Sequence, residues 1–197
     1  STWEEIAKQL VQHEQVLCVV SDRKSCRELH ALMPEGTYHL SALMCGQHRS
    51  ETIQEIIEKL ERNETCRVIS TQLVEAGVDL DFPVVYRAFA GLDSIAQAAG
   101  RCNREGRLPT LGEVIVFIPP KQPPPGLLRK AEQTTRDLLS TRDQVDPLDH
   151  RIYEHYFTQL YWKANSLDTK DIAALLRPTR SDLGIFFRTA SERFQII

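Results

Sequence analysis

Five short apolar runs, separated by amphipathic stretches, constrain this chain more than any other feature. "VLCVV" (16–20), "CRVIS" (66–70), "VVYRAFA" (84–90) and "GEVIVFI" (112–118) are close to continuous, and "TYHLSA" (37–42) is a shorter fifth run. A strand with one wet face alternates apolar and polar residues, whereas a strand buried on both faces does not. Between the runs, apolar side chains recur at helical spacing, as with Trp3, Ile6, Ala7, Leu10 and Val11, and later Ile53, Ile56, Ile57 and Leu60. Ser21 or Asp22 is placed to cap the helix "RKSCRELHALM", which stops before Pro34, Ser50 to open the helix over 50–63, and Ser94 to cap "SIAQAAGRCN". Strands alternating with helices at these intervals predict an α/β fold with a mainly parallel sheet flanked by helices. Its crossovers should be right-handed, with functional residues at the carboxyl ends of the strands.

At 197 residues the chain can bury one sizeable core and a smaller appendage. The compositional break is "PPKQPPPG" (119–126), where five prolines in eight residues stop both strand and helix. Helical patterns follow at 127–141 and 149–164, the second rich in Tyr and Phe, with shorter pieces in "TKDIAALL" and "IFFRTASERF". The expected organisation is an α/β unit over 1–118, a stiff connector over 119–126 and a helical extension over 127–197. Because the chain ends on apolar "FQII", the extension is expected to be truncated.

A formal net charge of −3 makes no whole-chain demand for nucleic acid or an anionic membrane, so anion binding has to come from local clusters. The clearest basic cluster is Arg101, Arg104 and Arg107. No apolar run approaches the ~20 residues of a membrane span. The first ten residues have neither the basic nor the apolar region of a signal peptide. Five cysteines, none in a CxxC pair, predict a reducing cytoplasm without disulfides or a zinc site.

Three loops at predicted strand ends carry more polar chemistry than a core requires. In "ISTQLVEAGVDLD" (69–81), Ser70 and Thr71 can grip a phosphate oxygen, Gly77 permits close backbone approach, and Asp79 can accept from a ribose hydroxyl or fix an arginine. A capped turn ending on glycine accounts for the same residues. In "QAAGRCNREGR" (97–107), Arg101 and Arg104 stand three apart on one side of a helical turn, a spacing from which two guanidinium forks can embrace a γ-phosphate. Gln97, one turn earlier, can orient a water or touch the same phosphate; a solvated basic helix end is the plainer account. In "HLSALMCGQHRS" (39–50), a nucleic-acid backbone contact competes with a surface turn. A metal set of His39, Cys45 and His48 competes there with a core Cys45.

Taken in order, these segments resemble the second RecA-like domain of a superfamily 2 helicase, a domain of the P-loop NTPase type. "VVSDRKSCREL" is similar to motif IV, "STQLVEAGVDLD" to motif V and "QAAGRCNREGR" to motif VI. The run from Ser70 to Arg107, with "HLSALMC" and "FRTASERF", resembles more specifically the CRISPR-associated helicase-nuclease of type I CRISPR systems. The chain departs from common superfamily 2 patterns at Ala98, where many members have arginine, and at Ser21-Asp22, where Asn-Thr is frequent and an acidic side chain would repel a phosphate.

The resemblance implies that Arg101 and Arg104 reach the γ-phosphate of ATP, with Gln97 heading the motif and Gly77 and Asp79 lining the nucleotide cleft. It implies that Ser70 and Thr71 touch the phosphates of single-stranded DNA, with Ser41 and Arg23 as further contacts. ATP with Mg²⁺ would be held mainly by a first RecA-like domain, and nuclease metal ions only by an HD domain. Neither domain is in this sequence, which has no GxxxxGK[ST] loop and no acidic DExx segment after a strand. The chain is therefore expected to be half of a DNA motor, inactive as an ATPase alone. Its partners would be the two missing domains, single-stranded DNA and an RNA-guided surveillance complex. A non-catalytic protein-binding module and half of an RNA-remodelling superfamily 2 ATPase are the alternatives.

Overall fold

Each of the five apolar runs becomes one strand of a single sheet: β1 (Gln15–Val19), β2 (Tyr38–Leu40), β3 (Cys66–Ser70), β4 (Val84–Ala88) and β5 (Glu113–Phe117). The computed structural model describes residues 1–75, 77–106, 108–141, 149–164, 166, 168, 170–178 and 184–194. The sheet order is β2-β3-β1-β4-β5, with every neighbouring pair parallel. Leu17 at the centre pairs with Val68 of β3 on one side and Val85 of β4 on the other. Val16 through Val19 are fully buried, which is why β1 reads as an unbroken apolar run.

Helices α1 (Trp3–Val11) and α2 (Arg23–His30) cover one face of the sheet. They enclose a cluster built on Trp3, Ile6, Leu10, Val16, Cys18 and Leu29. Helix α3 (Gly46–Glu61) and the end of α4 (Leu92–Ala99) cover the other, around Leu17, Val19, Ile56, Val68, Val85 and Ala98. At about 1.5–3 kcal/mol per large buried aliphatic side chain, these two layers are the main source of stability in the sheet. Thr2 and Glu5 form a reciprocal capping box at α1, with Glu5 N donating to Thr2 Oγ1 at 3.2 Å and Thr2 N donating to Glu5 Oε2 at 2.9 Å.

After the prolines come α5 (Leu127–Ser140) and α6 (His150–Lys163), and beyond them α7 (Ile172–Leu175) and α8 (Phe187–Arg193). Leu92, Ala131, Leu138, Ile152, Tyr156 and Leu160 form a third cluster that joins α4, α5 and α6. No helix among the described residues is long and apolar enough to cross a membrane.

Several local expectations are corrected. Helix α3 begins at Gly46 behind Cys45, not at Ser50, whose hydroxyl instead donates to the carbonyl of Gly46 at 3.0 Å. Cys45 is exposed, so it belongs to no core, and no metal-holding group of three occurs among the described residues. Helix α4 starts behind Gly91 rather than Ser94, because the chain there must approach α6. A Cβ on Gly91 would meet Tyr156 Oη, Asp93 Oδ1 and the Ala131 methyl at less than van der Waals distance. Helix α4 also ends at Ala99, short of Arg101. The next residues leave it to pair with Phe82, whose N donates to the Arg101 carbonyl at 2.9 Å while its carbonyl accepts from Asn103 N at 3.0 Å. Arg107 and residues 195–197 of "FQII" lie outside the described residues.

Candidate functional site

The candidate residues separate into two groups, and only one lies at the carboxyl ends of the strands. Ser41 follows β2, Ser70 closes β3, Thr71 follows it, and Arg23 opens α2 just after β1. Asp79 and Arg104 lie toward the amino ends. Helix α4 runs back across the sheet from the carboxyl end of β4, so the turn that follows it returns to the opposite edge. Asp79 and Asn103 there share a cleft of about 260 Å³ with Gln15, the first residue of β1.

Between that amino edge and the turn after β3 the two motif-like segments are stitched together. After β3 the chain makes one 3₁₀ turn (Gln72–Val74) and reverses at Gly77, whose φ of +74° is open to glycine at little cost. Arg101 is buried, and its guanidinium donates back to that turn, to the carbonyl of Val74 at 2.8 Å and that of Glu75 at 3.0 Å. Arg104 instead lies at the surface and donates to Asp79 Oδ1 at 2.7 Å. Asp81, between them, accepts from the backbone N–H groups of Arg104 (2.7 Å) and Glu105 (3.2 Å). The two arginines are thus chemically unequal. Arg101 is spent on orphan carbonyls, whereas Arg104 keeps part of its fork toward solvent. Gln97 is exposed on α4.

Glu75 and Arg87 form a site that sequence reasoning missed. Arg87 lies within β4 with no solvent exposure; its Nη1 donates to the Ala88 carbonyl at 2.8 Å, and its Nη2 meets Glu75 Oε1 at 3.0 Å. Burial pushes the Glu75 carboxyl up, with the neighbouring Arg87 charge pulling against it. The signal was an arginine inside "VVYRAFA": a charge in a buried strand needs a counterion, although its identity is not local in sequence. Asp93, near Glu75, accepts from the Tyr156 hydroxyl of α6 at 2.5 Å.

At the other group, Ser70 is fully buried and its hydroxyl donates to the Thr71 carbonyl at 2.8 Å, with the Leu40 carbonyl at 3.3 Å. Thr71 is nearly buried, and its N–H donates to the Leu40 carbonyl at 3.0 Å. Ser41 and Arg23 line one cavity of about 210 Å³ together with Arg27, His39, Leu43 and Met44. Asp22 turns away as the N-cap of α2, accepting from Lys24 N and Ser25 N at 2.9 Å each and from Ser25 Oγ at 2.6 Å.

A family model described as the C-terminal part of the CRISPR-associated nuclease/helicase Cas3 matches residues 6–107, which include both groups. The CRISPR-associated nuclease/helicase Cas3 of Haloferax volcanii is 34% identical over 176 residues, covering 73% of this chain and 18% of that protein. The protein of the same name from Methanothermobacter thermautotrophicus is 31% identical over 91 residues, covering 45% of this chain and 11% of that protein. The chain therefore spans less than a fifth of the length of these relatives. Among solved structures, T. fusca Cas3 with ADP superposes with a TM-score of 0.61 at 18% identity, over 81% of this chain and 22% of that one. A chain of a CRISPR RNA-guided surveillance complex in a pre-nicking state superposes at 0.57 and 19% identity, over 96% of this chain and 25% of that one. These likenesses identify the parallel sheet as RecA-like. With more than half of its residues matched, the chain belongs to the Cas3 nuclease/helicase family, as part of that family's C-terminal region.

Proposed function

We propose that this chain is the second RecA-like half of an ATP-driven DNA translocase coupled to a nuclease in CRISPR antiviral defence in the cytoplasm. Residues 1–118 are the motor half and 127–197 its helical extension. The observation that carries this reading is the stitching of the two segments, where a buried Arg101 fixes the turn after β3 and Asp79 and Arg104 stand together at the amino-edge rim.

The residues present fit one side of a nucleotide. Arg104 has donors beyond those it gives Asp79, Asp79 has an acceptor suited to a ribose hydroxyl, and exposed Gln97 lies one helical turn before Arg101. ATP with Mg²⁺, when bound, supplies the phosphoryl transfer that drives stepping, and its triphosphate is held mainly by a first RecA-like domain outside this sequence. In this reading Arg104 stabilises charge on the γ-phosphate, Arg101 holds the edge in register, and Gly77 lets the backbone approach. Single-stranded DNA lies across the carboxyl ends, against Thr71, Ser41 and Arg23, with Ser70 bracing the backbone that presents them. The longer protein is recruited by an RNA-guided surveillance complex, and its HD domain holds the nuclease metal ions.

The test is Arg104→Ala in the full-length protein. An arginine acting across such a cleft is worth roughly 10³–10⁵ in rate, so DNA-stimulated ATP hydrolysis should fall by about 10³ or more while affinity for single-stranded DNA is kept. Turnover near the unmodified rate would remove the reading. A docking role for the extension is favoured by Tyr161 and Trp162, which stand 51% and 86% exposed on α6.

A further inference from the structure

The buried pair of Glu75 and Arg87 has no part in the function proposed above, and it is a poor device for stability alone. Taking two charges out of water offsets most of what their attraction contributes, and apolar residues of similar volume commonly serve as well. Here the guanidinium is also incompletely satisfied, because Arg87 Nε is buried and has no hydrogen-bond partner among the described residues. What an ion pair adds over an apolar contact is direction. The Arg87 fork faces three segments at once. Its Nη1 donates to the Ala88 carbonyl at 2.8 Å and reaches the Val19 carbonyl and Ser21 Oγ at 3.4 Å each, while its Nη2 meets Glu75 Oε1 at 3.0 Å. It therefore ties the ends of β1 and β4 to the turn that follows β3.

Glu75 is held from two sides. Its carboxyl meets Arg87 of β4, and its backbone carbonyl accepts from Arg101 at 3.0 Å. The Val74 carbonyl beside it accepts from the same Arg101 guanidinium at 2.8 Å. The turn over 72–75 is thus clamped between two buried arginines, one in the sheet and one just beyond α4. Both members of the rim contact hang from that turn: Asp79 follows it in the chain, and Arg104 follows the Arg101 that is bonded to it. We propose that Glu75 and Arg87 are positioning residues for ATP hydrolysis: the pair fixes the turn, and the turn fixes the direction in which Arg104 and Asp79 meet the nucleotide. This rests on the ATP-driven reading above and adds to it two side chains too buried to touch nucleotide or DNA. An apolar pair would refill the same volume but let the turn settle at more than one place. A misplacement of about 1 Å is enough to lower a rate on the order of 10²-fold.

The experiment is steady-state ATP hydrolysis by the full-length protein at saturating single-stranded DNA, with Glu75→Leu and Arg87→Met combined. The melting temperature should stand near that of the unmodified protein and the KM for ATP should be kept, while kcat falls at least about tenfold. If kcat recovers together with the melting temperature, the pair is structural only; the positioning role is overturned and the translocase reading stands. Added to Arg104→Ala, the same two substitutions should lower kcat no further, because they act through one contact. A full additional loss there overturns the route through Arg104. Should the combined variant melt well below the unmodified protein, Glu75→Gln, which keeps the size of the side chain, decides the matter. A kcat reduced about tenfold at an unchanged KM then upholds the positioning role, and an unchanged kcat overturns it. Absence of DNA-stimulated hydrolysis in the unmodified protein overturns both readings.

Discussion

The two polar edges of the sheet solve opposite problems. Where the segment after α4 is stitched to the turn after β3 and to the amino edge, the charged side chains are answered within the chain: Arg101 by two carbonyls, Arg104 by Asp79, and Asp81 by two backbone N–H groups. At the β2 edge Arg23, Arg27 and Ser41 have no side-chain partner among the described residues, and the acids nearest in sequence, Asp22 and Glu28, are turned elsewhere. The first is therefore preorganised, whereas the second keeps its cations toward solvent. The same sheet provides both, and α4 carries the chain from the carboxyl end of β4 back to the amino ends.

The contrast can be broken most severely between the edges, at the buried pair. Glu75→Ala strands the Arg87 charge in the core and should cost about 3–5 kcal/mol, read as faster hydrogen exchange in peptides from β1 and β4. The double variant Glu75→Leu with Arg87→Met should recover most of that loss. No recovery would mean that the pair also sets the backbone path. Next in size is Arg101→Ala, which removes two charge-assisted hydrogen bonds and leaves two carbonyls short of a donor, at about 2–4 kcal/mol by the same measurement. A loss below about 1 kcal/mol would show the amino edge to be less preorganised than its geometry implies. The smallest effect is expected at the open edge: Arg23→Ala with Arg27→Ala should change stability by no more than about 0.5 kcal/mol, because both side chains are exposed and neither has a partner among the described residues. A large destabilisation there would contradict the reading of α2 as a solvated face.

Most of the scaffold was legible in the sequence, because strands buried on both faces leave an unbroken apolar run and helices leave a periodic stripe; "GEVIVFI", read the same way, is instead the edge strand β5 with Val114 and Val116 exposed. The resemblance pointed correctly to the family, and Asp22 caps α2 as one of the two residues predicted to do so. What could not be read was set by distant contacts. Helix α4 starts at Leu92 because of Tyr156, 64 positions further on, and it stops at Ala99 because residues 101 and 103 pair with Phe82. Helical spacing placed Arg101 and Arg104 on one helical face. In the structure the two leave the helix and part, one into the protein and one to its surface. Arg27 drew no notice because a basic residue on a helix is ordinary. Its interest comes from what fails to surround it.

The contact of Gly91 and Asp93 with Tyr156 has a mechanical consequence. Helix α4 is a rod of eight residues, about 12 Å long, clamped at its first turn by α6 and followed two residues past its last turn by Arg101. A rod gripped at one end turns a small tilt there into a displacement at the other. A displacement of α6 is therefore expected to reach, through α4, the rim where Arg104 and Asp79 meet.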